Sequence, residues 1–124
     1  GNRTKQFDRG YIIMESKSKM TRVMISQPMY GLTADDIAET KARATKDIEN
    51  MGYTVVNTLF DEDYFSEEDL ECVQHKSLFF LAQALEAMSM CDAVYFCKGW
   101  QDTRGCQIEH KAAEAYGLAI LYEE

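Results

Sequence analysis

Two carboxylates, Asp92 and Glu109, have the surroundings in this 124-residue chain that best suit covalent chemistry. Glu109 falls near the start of a predicted helix, beside its apolar positions, where a carboxylate is partly shielded from water and can act as a nucleophile or base. The alternative is that an acid in a first helical turn is simply favoured by the helix dipole. Asp92 opens a predicted buried strand, where a charge needs a partner or a ligand. Its alternative is a cap or turn residue that follows the preceding helix.

A candidate anion-binding segment lies between these carboxylates. Thr103 offers a hydroxyl and Arg104 a forked cation suited to phosphate, just before a predicted helix whose unpaired amides begin at Gly105. The alternative is that Arg104 is a surface residue paired with Asp102. We include all four residues in the candidate substrate site.

Aromatic residues stand in two glycine-containing loops at the ends of predicted strands. Trp100 follows Gly99 and can either stack on a planar ring or fill the gap between the loop and the sheet. Tyr30 presents the same choice in the first loop. The other candidate binding residues of that loop are Gln27, Pro28 and Gly31.

We predict neither a metal site nor a cofactor. The four cysteines, at positions 72, 91, 97 and 106, include no CxxC pair and no zinc spacing with a histidine. They favour reduced thiols in a cytosolic protein. The acidic run 61–71 lacks the ligand pattern of a calcium loop and is interpreted as a solvated lid, with one possible helical turn. His75 and His110 are predicted to be surface residues.

The composition narrows the class of protein. With 46% hydrophobic and 27% charged residues, the chain is typical of a folded globular protein. Its 21 acidic and 13 basic residues give a formal charge of −8, which argues against binding to polymeric nucleic acid. No apolar run reaches the roughly 18 residues of a membrane span, so we expect no membrane partner. Residues 1–19 are predicted to be a tail, and residues 20–124 a single domain.

Strands and helices are predicted to alternate along this domain in the order β-α-β-α-β-α-β. The predicted strands are 22–26, 53–57, 92–97 and 118–122, and the predicted helices are 33–51, 77–90 and 105–116. Thr33 and Asp36 resemble a capping box at the first helix. The second helix is predicted to bury a face formed by Leu78, Leu81, Ala82, Leu85 and Met88. Such alternation predicts a three-layer α/β/α, Rossmann- or flavodoxin-like parallel sheet of four to five strands, with ligands at the carboxyl ends of the strands.

The segments MISQPMYG, CDAVYFCKGW and DTRGCQIEHKAAEAYG resemble the nucleoside 2-deoxyribosyltransferase superfamily, and in particular its small bacterial and phage members. This superfamily includes the 2'-deoxynucleoside 5'-phosphate N-hydrolases, and the resemblance covers about residues 21–122. It implies that Glu109 attacks the anomeric carbon to form a glycosyl-enzyme ester, and that Asp92 orients or protonates the leaving base. Thr103 matches the position that contacts the sugar 5' end, which is serine in the nucleotide hydrolases. With Arg104 beside it, a 5'-monophosphate is favoured over a free nucleoside.

The chain departs from the superfamily pattern at Met24, where a tyrosine near the nucleophile is usual. Tyr30 or Tyr64 could supply that hydroxyl instead. We expect an enzyme that cleaves or transfers N-glycosidic bonds of (deoxy)nucleosides or their 5'-monophosphates. The alternative is a non-catalytic nucleotide-binding or sensor module. Because superfamily members complete each pocket from a neighbouring subunit, the resemblance also implies a homodimer or larger homo-oligomer.

Overall fold

Four parallel strands form one sheet in the computed structural model, which describes residues 21–56 and 66–124. The strands are β1 (Arg22–Ser26), β2 (Thr54–Val55), β3 (Ala93–Phe96) and β4 (Ala119–Tyr122), and their order in the sheet is β2-β1-β3-β4. The predicted α/β architecture and all-parallel sheet are therefore confirmed. The predicted tail, the first part of the acidic run and Tyr64 lie outside the described residues.

Helices cover both faces of this sheet. They are α1 (Ala34–Asn50), the single turn α2 (Glu67–Leu70), α3 (Lys76–Met88) and α4 (Arg104–Ala115), with a 3-10 turn at Trp100–Asp102 before α4. None of the helices in the described part of the chain is long and apolar enough to cross a membrane.

Side chains alternate between the two faces along the central strand β1. Val23 and Ile25 pack with α1 through Ala44 and Ile48. Met24 faces the other way, into the core that α3 and α4 cover. Because successive side chains of a strand point to opposite faces, Ser26 shares the face of Met24 and lies under α4.

The first helix begins as its sequence predicts. The Thr33 hydroxyl accepts a hydrogen bond from the backbone N–H of Asp36 at 3.1 Å, which satisfies one of the unpaired amides at the start of α1. The chain leaves the helix through Gly52, which has a φ of 86°. This left-handed conformation costs glycine little, so the turn into β2 is tight.

The predicted buried face of α3 is wrong in part. Leu78 is 62% exposed and Leu85 is 36% exposed, whereas Ala84, Ala87 and Met88 are buried. The two alanines let α3 pack closely on the sheet and on α4, and this close contact turns the larger leucines outward. Periodicity identified a helix, but size complementarity selected the side that is buried.

The order of the strands places a crevice between β1 and β3. From β1 the chain crosses to β2 on one side, whereas β3 pairs with β1 on the other. In doubly wound sheets the connections diverge at such a point and leave room for a ligand outside the carboxyl ends of the strands. Ser26 and Phe96, which are paired in register, mark that end of the two strands.

Candidate functional site

Glu109 and Ser26 meet at this crevice. The Ser26 hydroxyl donates a hydrogen bond to Oε1 of Glu109 at 2.5 Å, a length typical of an O–H donor on a charged carboxylate. Ser26 is 2% exposed, and its position at the last residue of β1 is set by the ladder with β3. Helix α4 supplies Glu109 from above, so a strand and a helix rather than loops hold the contact.

The acidity of Glu109 follows from its surroundings. Burial raises the pKa of this carboxyl from 4.5 to about 7, and the Ser26 hydrogen bond opposes part of that rise because it favours the charged form. Both protonation states are therefore populated near neutral pH. A carboxylate that is poorly solvated and freely interconverting at pH 7 suits nucleophilic or acid–base chemistry.

Cys106 is the nearest potential rival nucleophile. It is buried and lies one helical turn before Glu109, on the same side of α4. Burial raises the pKa of its thiol to about 11, with opposite influences from the Ser26 hydroxyl and the Glu109 charge. The thiol is therefore uncharged at neutral pH and a poor nucleophile, so Glu109 is the stronger candidate of the two.

The structure does not bring Asp92 to Glu109, so the implied role of Asp92 at the leaving base needs correction. One Asp92 oxygen accepts the backbone N–H of Arg22 at 2.9 Å, at the amino edge of the sheet. Glu109 contacts Ser26, which is four strand residues away, or roughly 13 Å at about 3.3 Å per residue. This geometry fits the alternative interpretation of Asp92, in which it is a cap or turn residue between the preceding helix and β3.

Two loops with predicted binding residues approach each other above the crevice. Gly99 has a φ of 92°, and a side chain built there would lie 3.4 Å from Cγ of Pro28. A larger residue at position 99 would therefore be strained and would crowd Pro28. The structure thus brings the β1 and β3 loops together, as their position at the carboxyl ends predicts.

The rest of the first loop is less suited to the site. The Gln27 amide donates to the Ile37 carbonyl at 3.0 Å, so it holds the loop against α1. Tyr30 is 98% exposed and Gly31 is exposed as well. Since the hydroxyl on Glu109 comes from Ser26, the expectation that Tyr30 supplies it is wrong.

The predicted anion-binding segment opens α4. The Thr103 hydroxyl donates to the Gly99 carbonyl at 3.1 Å and does not cap the helix, so the first amides of α4, including that of Gly105, remain available. Arg104 is exposed, and no ion pair joins it to Asp102 in the described residues. The predicted alternative for Arg104, a pair with Asp102, is therefore wrong.

Trp100 belongs to an aromatic cluster beside the crevice. Its ring stacks on His110 with centroids 4.1 Å apart, and it approaches Phe96 at 5.4 Å. Nε2 of His110 lies 2.7 Å from the Tyr122 hydroxyl, and the His110 side chain is only 13% exposed, so its prediction as a surface residue is wrong. This packing favours Trp100 as a filler between loop and sheet, with one edge on an open cleft of about 360 Å³ that Lys98 also lines.

Ser26 is the site residue that sequence reasoning missed. The sequence did contain a signal for it. Ser26 ends an apolar strand on the same face as Met24, and a polar side chain is unexpected on a face that a helix covers. The pairing of that serine with Glu109 depends on strand register and on the placement of α4, which a single sequence does not show. Within the described residues, no group of three or more potential metal ligands is present.

Fold and site together define a small α/β domain with a partly buried acid at the switch point of a parallel sheet. A family model described as "Domain of unknown function (DUF4406)" matches residues 21–122, and the chain belongs to that family. Searches of curated proteins and of solved structures find no match.

Proposed function

We propose that this protein is an N-glycosidase or glycosyltransferase that acts on (deoxy)nucleosides or their 5'-monophosphates, with Glu109 as its nucleophile. The single observation that carries the proposal is the partly buried Glu109 carboxyl at the crevice, with a pKa of about 7 and a hydroxyl donor on one oxygen. The resemblance of the segments around it to the nucleoside 2-deoxyribosyltransferase superfamily supplies the substrate class.

The proposed reaction has two displacements. A carboxylate oxygen of Glu109 attacks the anomeric carbon, the bond from that carbon to the base nitrogen breaks, and its electron pair leaves with the base, which takes a proton. Water or a second base then attacks the same carbon and releases the carboxylate, as in retaining glycosidases. Because Asp92 lies at the far edge of the sheet, the proposal assigns the proton for the leaving base to water in the open crevice and not to Asp92.

A 5'-monophosphate is the substrate form that we favour. Exposed Arg104 and the first amides of α4 gather donors for an anion within one helical turn, whereas the Thr103 hydroxyl donates its proton to the Gly99 carbonyl. The overall charge of −8 opposes an anion, but charges beyond about 8 Å are screened in physiological salt. Short-range donors therefore outweigh the distant carboxylates. No cofactor is part of the proposal.

The second candidate function is a nucleotide-binding or sensor module without turnover. It is favoured by one observation: Asp92, the second carboxylate that the resemblance implies, lies at the opposite edge of the sheet from the contact of Glu109 with Ser26. Calorimetric titration distinguishes the two functions, because a sensor binds a nucleotide tightly and leaves it intact after a day of incubation.

Chromatography of a panel of nucleosides and nucleotides, each supplied with and without its 5'-phosphate, tests the enzyme proposal. The wild type should release free base, and Glu109→Gln should lose at least about a thousandfold of that rate, as expected for loss of a nucleophile. Glu49→Gln, at an exposed position on α1, is the matched control and should keep the wild-type rate. Full activity of Glu109→Gln would contradict the proposal.

The proposal also includes the cytosol as the place of action, because the buried Cys97 and Cys106 are present as thiols. It further includes assembly into a symmetric homo-oligomer.

A further inference from the structure

The two oxygens of Glu109 have different surroundings. Oε1 accepts the 2.5 Å hydrogen bond from Ser26. Oε2 has no hydrogen-bond donor among residues 21–56 and 66–124. One oxygen is thus occupied by the protein, and the other remains available to a ligand in the crevice.

We propose that Ser26 is a positioning residue that selects the attacking atom of Glu109: it holds Oε1 and leaves Oε2 directed to the anomeric carbon. This inference rests on the proposed function, since it assigns a role within the same reaction. It also explains how the chain manages with Met24 where the superfamily usually has a tyrosine. The needed hydroxyl comes from a residue two positions further along β1, on the same face of the sheet.

The backbone of Ser26 is held firmly enough for this role. Its carbonyl accepts the N–H of Cys97 at 2.9 Å, and its neighbour across the ladder is the fully buried Phe96. A hydroxyl on a paired central strand has little freedom to follow a moving carboxylate. The hydrogen bond therefore ties one carboxylate oxygen to the strand and favours one orientation of the carboxylate.

The Ser26 hydroxyl has a single proton to donate, and the side chain of the neighbouring Cys106 is a second hydrogen-bond partner of that hydroxyl. Since burial keeps this thiol uncharged up to about pH 11, it does not compete as an anion for that proton. Glu109 is the stronger acceptor throughout the neutral range. Ionisation of Glu109 therefore strengthens the contact that orients it.

Substitution of Ser26 should change the titration of Glu109 and the rate together. Without the donor, the charged carboxylate loses a hydrogen bond, so the titration midpoint of Glu109 in Ser26→Ala should rise by about one pH unit. Because the carboxylate is no longer held in one orientation, kcat of Ser26→Ala should fall roughly tenfold to a hundredfold, with KM little changed. The rates are compared at a pH well above that midpoint. Ser26→Thr retains a hydroxyl and a residue type favoured in strands, and it should restore both values.

The experiment combines carbon NMR of protein labelled at the glutamate carboxyl with base-release kinetics over a range of pH. The Glu109 resonance is identified by its absence in Glu109→Gln, and Ser77→Ala, at an exposed position on α3, is the matched control. A higher midpoint with a lower kcat in Ser26→Ala, both reversed in Ser26→Thr, supports the proposal.

Two results overturn it, and they are distinguishable. Wild-type turnover combined with an unchanged midpoint or an unchanged kcat in Ser26→Ala removes the role of Ser26 alone. Absence of turnover from the wild type on the whole panel removes the proposed function, and the assignment of an attacking atom fails with it, whatever the NMR titration shows.

Discussion

Glu109 is held where its charged form is unfavourable, and this free-energy cost is the main physical argument for its proposed function. A partly buried carboxyl beside one hydroxyl donor loses hydration that the donor only partly replaces, which is why its pKa rises to about 7. A glutamate whose role was to stabilise the fold would be expected to gain a cation or several amides. The sequence predicted that Glu109 borders an apolar face. Only the fold showed that no cation from residues 21–56 or 66–124 shifts the pKa of this carboxyl.

The raised pKa of Glu109 predicts how stability depends on pH. Between pH 4.5 and about 7, the folded protein keeps a proton that the unfolded chain has released, so the free energy of unfolding falls as pH rises and levels off above about 7. The decrease is about 3 kcal/mol, at about 1.4 kcal/mol per pH unit. Glu109→Gln is neutral at every pH and can still accept from Ser26, so it avoids this decrease.

Urea denaturation at pH 4 and at pH 8 measures the effect. Glu109→Gln should match the wild type at pH 4 and exceed it by about 3 kcal/mol at pH 8. The exposed control Glu49→Gln should stay close to the wild type at both values. An equal difference between Glu109→Gln and the wild type at pH 4 and pH 8 would show that the carboxyl does not titrate as described.

At the scale of elements, the sequence predicted the strands and helices better than it predicted their partners. Alternating apolar segments and the Thr33 cap identified β1 and α1 correctly, because these signals are local. The buried side of α3 and the surroundings of His110 depended on packing between helices and sheet, and both predictions were wrong. The prediction for Asp92 failed for a topological reason. A residue that opens a parallel strand lies at the edge of the sheet opposite the ligand crevice.

Asp92 should therefore matter for stability and not for turnover. Asp92→Ala removes the acceptor for the backbone N–H of Arg22 and should lower the free energy of unfolding by about 1–2 kcal/mol. Asp92→Asn retains a carbonyl oxygen at that place and should recover most of the loss. Denaturation curves and base-release rates of both variants check this. A folded Asp92→Ala protein without turnover would show that the Asp92 carboxylate takes part in the reaction.

At the scale of the whole molecule, exposed apolar side chains support the proposed self-association. Leu78 on α3, together with Ile108 and Tyr116 on or beside α4, is 43–84% exposed, and these two helices pack against each other. Exposed apolar area of this kind on a small domain often marks an interface. A symmetric contact between two copies would cover these side chains and could also close the open crevice.

Light scattering at micromolar concentration tests this expectation. We predict a mass of at least twice the 14.2 kDa of one chain. Leu78→Glu places a charge in the proposed interface and should shift the protein toward the monomer, whereas Glu86→Gln, elsewhere on α3, should not. A monomeric mass for the wild type would contradict assembly and would leave the assignment of Glu109 unaffected.

The central claim is that Glu109 forms a bond to the sugar, and mass spectrometry of the acid-quenched reaction tests it most directly. A nucleoside 5'-monophosphate with fluorine at the sugar 2' position, which slows release of the ester, serves as the substrate. The account predicts a sugar-phosphate adduct on the peptide that contains Glu109, formed with one equivalent of free base and absent from Glu109→Gln. Release of base with the adduct on another residue, or with no adduct at any quench time, would contradict it.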